Sequence, residues 1–215
     1  TPLAGIKLLT DSILQTENID PATTREFVSD IGAEASRLER ITEDLLRLTR
    51  LDSGAVEPAV CVAVKPVLER AARMLQPVAG QREVELTCRA DEAAAVRATE
   101  GDVHQILYNL MENGVKYTAP GGFVHTSVSV EEGRVVITVS DNGIGIPAED
   151  MPHIFERFYR VDKARSRQIG GTGLGLSIVG DTVQRRGGEI GVAPREGGGT
   201  VFTVSFPQAE PEVTA

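Results

Sequence analysis

The chain has 215 residues, 41% hydrophobic and 25% charged, a length that allows one medium domain plus a smaller element, or two small domains. No apolar run approaches the ~18–20 residues of a membrane span, so no membrane contact is expected of this chain. A net charge of −9 argues against nucleic-acid binding and requires any anionic ligand to be met by a local basic cluster.

Residues 1 to about 53 hold no strand-like alternation. Ile6, Leu9 and Ile13 mark one helical stripe, and ENIDPATT reads as a turn, with Asp20 before Pro21 and Thr23 or Thr24 as a cap. The second helix carries Ile31, Leu38, Ile41, Leu45 and Leu48 at spacings of 7, 3, 4 and 3, an a/d heptad seam. The hairpin could pack on its own globular domain, but strict heptads favour a four-helix bundle of two chains, a homodimer through residues 1–53.

After LDSG the pattern changes, and residues 58–207 read as a second domain. Residues 66–79 have Val67, Leu68, Ala71, Met74, Leu75 and Val78 at helical spacing, Val84 to Leu86 alternate like a short strand, and 102–117 form another helix. Val124 to Val130 and Val135 to Ser140 make a hairpin through Glu131, Glu132 and Gly133. Leu174 to Arg186 is a helix stopped by Gly187 and Gly188, and Thr200 to Phe206 a strand with Phe202, Val204 and Phe206 on one face. The class is α+β, a helical hairpin plus one mostly antiparallel sheet with helices over one face. The tail 208–215 is expected to be disordered. Cys61 and Cys88 read as small buried hydrophobes, and His104, His125 and His153 are too scattered for a metal cluster.

Four segments carry chemistry. In NLMENGVKYT, helical spacing puts Asn109, Asn113, Lys116 and Tyr117 on one face. Amide oxygens suit Mg2+, lysine suits a phosphate, and tyrosine can stack on a base, where a bland reading sees a solvated stripe. DNGIGIP follows a strand, so Asp141 can accept from an exocyclic amine while Gly143 and Gly145 admit a planar ring, though Asn-Gly is also a frequent turn. IFERFYRVDKARSR sets Arg157, Arg160, Lys163, Arg165 and Arg167 beside Phe155, Phe158 and Tyr159, the local basic patch an anion requires. GGTGLGLSIV opens a helix whose free N–H groups attract phosphate. It is not a Walker A loop, because Leu176 stands where the lysine must be, and it lacks the strand and spacing of a dinucleotide fingerprint.

In this order the segments resemble the N, G1, F and G2 boxes of sensor histidine kinases, in the GHKL ATP-binding superfamily, over essentially the whole chain. The resemblance implies a Bergerat α/β sandwich with a mobile lid from about Ile146 to Gly171. It implies that ATP and Mg2+ are the cofactors, with Asn109 and Asn113 on Mg2+ and phosphate oxygens. It further implies Lys116 on phosphate, Tyr117 near adenine and Asp141 on the adenine amino group. Gly143, Gly145, Ile146, Gly171, Thr172, Gly173, Leu174, Gly175 and Leu176 would complete the nucleotide pocket, and Arg160 would support the γ-phosphate. Asn109, Lys116 and Arg160 would be the catalytic set. Gly114 stands where the family commonly has alanine, which touches no ligand role.

Relatives that hydrolyse ATP carry a glutamate where this chain has Asn109, and an amide cannot act as a base, so transfer to a protein nucleophile is favoured over hydrolysis. Glu112 lies on a different part of the helix. A serine-type kinase would lack the hairpin, and a nucleotide-free scaffold would not keep the boxes. Thr1-Pro2 resembles the end of an H-E-x-x-T-P box, which implies an acceptor histidine four residues before Thr1 and a role for Thr1 in dephosphorylating the regulator. The chain is then expected to bind ATP without phosphorylating itself. It would dimerise and meet a response-regulator receiver domain in the cytoplasm, its parent anchored in the inner membrane by a segment outside this chain.

Overall fold

The computed structural model describes residues 2–16, 19–52, 57–161 and 172–209. The chain divides into two compact units, Thr1–Gly54 and Ala55–Ala215. The first is a hairpin of α1 (Pro2–Gln15) and α2 (Pro21–Asp52). Asp20, not Thr23 or Thr24, caps α2: its Oδ1 accepts from the N–H groups of Ala22 at 2.9 Å and Thr23 at 3.0 Å. Pro21 follows at the first helical position, where a missing N–H costs nothing. α1 packs along α2 yet fully buries none of its own residues, and Leu3, Leu8, Leu14, Val28, Leu45 and Leu46 are exposed.

The second unit runs β1 (Val60–Ala63), α3 (Val64–Gln81), β2 (Glu85–Ala90), β3 (Ala95–Ala98), α4 (Glu100–Tyr117), β4 (Phe123–Glu131), β5 (Arg134–Asp141), α5 (Gly175–Arg185), β6 (Glu189–Pro194) and β7 (Thr200–Pro207). Five strands form one sheet in the order β2-β4-β5-β7-β6, parallel only between β2 and β4, while β1 and β3 make a separate antiparallel pair. Strand alternation turns Val135, Ile137 and Val139 of β5 and Phe202, Val204 and Phe206 of β7 toward one core, shared with Leu68 and Leu75 of α3, Leu107 and Leu110 of α4, and Val179 and Val183 of α5. The same alternation carries one polar residue inward at the end of each strand, Asp141 and Thr200, which pair across the ladder. Burial of this core in water is the main force holding the layers together.

α4 starts at Thr99 through a capping box. Thr99 Oγ1 accepts from Asp102 N at 3.1 Å, and Asp102 Oδ2 accepts from Thr99 N at 3.4 Å. Asp102 also meets the Arg186 guanidinium at 2.6 Å, and Arg186 donates to the Glu57 carbonyl at 3.0 Å. One partly buried ion pair thus ties the start of α4, the end of α5 and the chain entering this unit.

Four expectations need correction. β1, β3 and β6 were not anticipated. Met74 and Val78 are exposed, because the buried stripe of α3 narrows to Ala71, Leu75 and Ala79 in its second half. Both cysteines are free and only half-buried. The tail does not begin at 208: Gln208 donates to the Gly133 carbonyl at 2.9 Å, and Ala209 to the Ala95 carbonyl at 2.8 Å. Backbone pairing therefore continues past β7, and only 210–215 lie outside the described residues.

Candidate functional site

The site grows from the last two turns of α4. Asn109 is buried and held by protein at both ends: its Oδ1 accepts from Gln105 Nε2 at 2.9 Å and its Nδ2 donates to the Gly175 carbonyl at 3.0 Å. Asn113, one turn on, is half-buried, and its amide bonds to none of the described residues. Lys116 lies over the Tyr117 ring, 5.5 Å from its centroid. The Tyr117 carbonyl accepts from Ile144 N at 3.2 Å, which draws the segment after β5 against the end of α4. Gly143 fits this junction because a Cβ there would sit 2.5 Å from that carbonyl.

Asp141 is the centre. Oδ1 accepts from Gly143 N at 2.9 Å and from Thr200 N at 3.3 Å, while Oδ2 accepts from none of the described residues. Burial pushes its carboxyl above the usual range, against the opposing pull of the Gly143 and Thr200 N–H groups and the charge of Arg195. A carboxylate half satisfied and held in a desolvated place is poised to accept from a ligand. Gly145 turns beside Gly199, and Ile146 packs against the core.

The segment after Ile146 is fastened to α5. Phe155 meets Phe202 edge to face at 6.4 Å, Arg157 pairs with Asp181 at 3.0 Å, and the Tyr159 hydroxyl donates to Asp150. Phe158 adopts φ 65°, a strained value for an aromatic residue, and its N–H donates to the Gly173 carbonyl at 2.9 Å. Arg157 is therefore spent on structure. Arg160 is different: its Nη2 is buried and has no hydrogen-bond partner among the described residues, so it can meet an anion.

At the glycine loop, Thr172 Oγ1 accepts from Leu174 N at 3.2 Å, and Ser177 Oγ donates to the Leu174 carbonyl at 2.9 Å. Leu174 is buried, Leu176 packs on the core, and the start of α5 has no side-chain cap. Its first N–H groups are thus left for another acceptor. The four segments meet through Asn109 with Gly175, Tyr117 with Ile144, and Phe158 with Gly173. Thr1, Lys163, Arg165, Arg167 and Gly171 lie outside the described residues.

Two residues were missed. Thr200 reads from sequence as the start of a strand, yet it is buried against Asp141. The three glycines before it, Gly197 to Gly199, were the available signal. Gln105 lies one turn before Asn109 on the same face, and i, i+4 spacing could have paired them.

A helical layer over a mixed sheet, with a buried aspartate at a strand end and a glycine-opened helix joined to α4, defines a Bergerat-type nucleotide-binding unit. The model of the family "Histidine kinase-, DNA gyrase B-, and HSP90-like ATPase" matches residues 98–210, and that of the "His Kinase A (phospho-acceptor) domain" matches residues 1–54. The chain belongs to this ATPase family and, within it, to the two-component sensor histidine kinases. The sensor-like histidine kinase SenX3 of Mycolicibacterium smegmatis (strain ATCC 700084 / mc(2)155) is 35% identical over 97% of this chain and 54% of its own length. The sensor histidine kinase WalK of Bacillus subtilis (strain 168) is 34% identical over 98% of this chain and 35% of its own. Among solved structures, full-length ShkA in complex with AMPPNP superposes with a TM-score of 0.74 at 28% identity, covering 98% of this chain and 44% of that one. The chain spans about half or less of the length of these relatives.

Proposed function

We propose that this chain is the dimerisation and ATP-binding portion of a sensor histidine kinase, which passes the γ-phosphoryl group of ATP to a histidine and then to an aspartate of a response regulator. The observation that carries the reading is Asp141, a buried carboxylate with one oxygen fixed by two backbone N–H groups and the other free. The free oxygen suits the amino group of adenine, and Gly143, with no Cβ, lets the chain after β5 close against the Tyr117 carbonyl and hold the other oxygen in place. The solved complex of ShkA with AMPPNP supports ATP as the nucleotide class.

The residues present fit Mg-ATP. Asn113 offers an unengaged amide oxygen of the kind Mg2+ takes, and Asn109 presents its amide beside it with both ends already held by protein. Lys116 and Arg160 supply positive charge, and the uncapped start of α5 supplies N–H donors. Bound Mg2+ would neutralise phosphate charge. The protein's own part is to fix the adenine through Asp141, place Tyr117 beside it, and gather donors where negative charge spreads during transfer. Asn109 cannot serve as the base that hydrolysis requires, because it is an amide. The hairpin, with Leu45 and Leu46 exposed on α2, suits pairing with a second copy, and a receiver domain is the partner such a kinase requires.

Calorimetric titration of residues 1–215 with ATP, with and without Mg2+, tests this. Asn113→Ala is expected to lose most of the Mg2+-dependent gain in affinity, while metal-free binding changes little. A gain that survives intact would remove Asn113 from the metal site.

A further inference from the structure

We propose that Gln105 is a positioning residue: through Asn109 it latches the glycine loop to α4, so the start of α5 is fixed before nucleotide arrives. The inference rests on the reading of residues 172–176 as the loop that meets the phosphates. Its basis is a chain of donors and acceptors with only one workable direction. The Gly175 carbonyl can only accept, so the Asn109 group facing it at 3.0 Å must be Nδ2. Oδ1 then faces Gln105 at 2.9 Å, and Gln105 must present its Nε2 there. The orientation of both amides is thus dictated by a backbone carbonyl, not by a choice between look-alike atoms.

The consequence is polar asymmetry. A donor at position 105 holds Asn109 in the latching orientation, while an acceptor there asks it to turn over. An overturned Asn109 would point its oxygen at the Gly175 carbonyl and repel the start of α5. Position 105 is half-buried, so a charged tip placed there can reach water. Gly175 also sits close to the Asn109 amide, with a would-be Cβ 3.6 Å from Nδ2, so the loop approaches Asn109 closely.

The test contrasts Gln105→Lys, which keeps a donor, with Gln105→Glu, which supplies only acceptors. Amide hydrogen exchange across residues 174–180 is followed in nucleotide-free protein, the whole chain of residues 1–215. We expect exchange to rise at least fivefold in Gln105→Glu and to stay within twofold of wild type in Gln105→Lys. Asn109→Asp, which repels the carbonyl directly, should match the glutamate variant and stands in if Gln105→Glu fails to fold. Equal rises in the lysine and glutamate variants, or no rise in either, would overturn the latch, because a packing role does not distinguish donor from acceptor. ATP affinity of Asp141→Asn, measured alongside, reports the nucleotide site independently: if it stays at the wild-type level the site reading fails, while the exchange contrast still decides the latch.

Discussion

Asp141→Asn is expected to weaken ATP binding by about 10- to 150-fold while leaving the ligand-free protein as stable as wild type or more so at pH 7. The loss follows from the free oxygen. Asparagine can keep its carbonyl on Gly143 N and Thr200 N, which turns its NH2 toward the ligand, and two donors then face each other. A hydrogen bond to a charged group contributes about 1.5–3 kcal/mol, which sets the range. The stability gain follows from the raised carboxyl, whose first cause is burial. A raised acid contributes stability that is fully present below its unfolded pKa of about 3.9 and is lost as pH rises through the folded value. At pH 7 the ionised, desolvated Asp141 therefore costs the fold something that asparagine does not. Thermal melts from pH 7 downward should show the advantage of Asp141→Asn shrinking as the wild-type carboxyl takes up its proton. An advantage that grows on acidification would contradict the assignment of burial as the dominant cause.

Gly199→Ala is expected to be the most damaging single methyl group in the second unit. Gly199 has φ 100°, and a Cβ there would run into the Asp141 carbonyl oxygen and lie 2.7 Å from Asn142 Cα. Both obstacles are backbone at the end of β5, so neither can swing aside. The left-handed conformation alone costs an alanine about 1–2 kcal/mol, and displacing the paired ends of β5 and β7 brings the total to roughly 3 kcal/mol or more. For a domain of this size that lowers the melting temperature by about 6–12 °C. ATP affinity should fall too, because the strand end that moves carries Asp141. Gly133→Ala is the control: φ is also positive, 75°, but nothing lies within 4 Å of the added Cβ, and the loss should stay near 1 kcal/mol. Equal losses at the two positions would mean that conformation, not crowding, governs Gly199.

These two residues also mark what could and could not be seen in the sequence. Asp141 was legible because a charged residue ending an alternating strand and followed by two glycines is anomalous, and α4 was legible because its apolar period is strong. The β4–β5 hairpin was legible for the same reason, although the turn tightens to Glu132 and Gly133. β1 and β3 were not, since strands of four residues give period-2 alternation too little to act on. Gly199 looked like one more turn glycine, and its constraint comes from Asp141, 58 positions earlier. The partners of Asn109 divide the same way: Gln105 was within reach of helical spacing, whereas the Gly175 carbonyl lies 66 residues on. The Asp102–Arg186 ion pair spans 84 residues and leaves no local trace. Local periodicity predicted elements; contacts made by the fold predicted nothing until the strands were placed.

We infer that Asp141 accepts from the amino group of adenine. A paired titration of residues 1–215 with Mg-ATP and Mg-GTP tests it most directly, because guanine carries an oxygen where adenine carries the amine. Two acceptors would then meet in a desolvated pocket, and a site built on one hydrogen bond rejects a ligand that leaves it unmade. We expect saturable ATP binding with GTP weaker by at least 100-fold, and a smaller gap in Asp141→Asn, whose NH2 can donate to that oxygen. Equal affinity of the wild-type chain for ATP and GTP, or no binding of either, would contradict it.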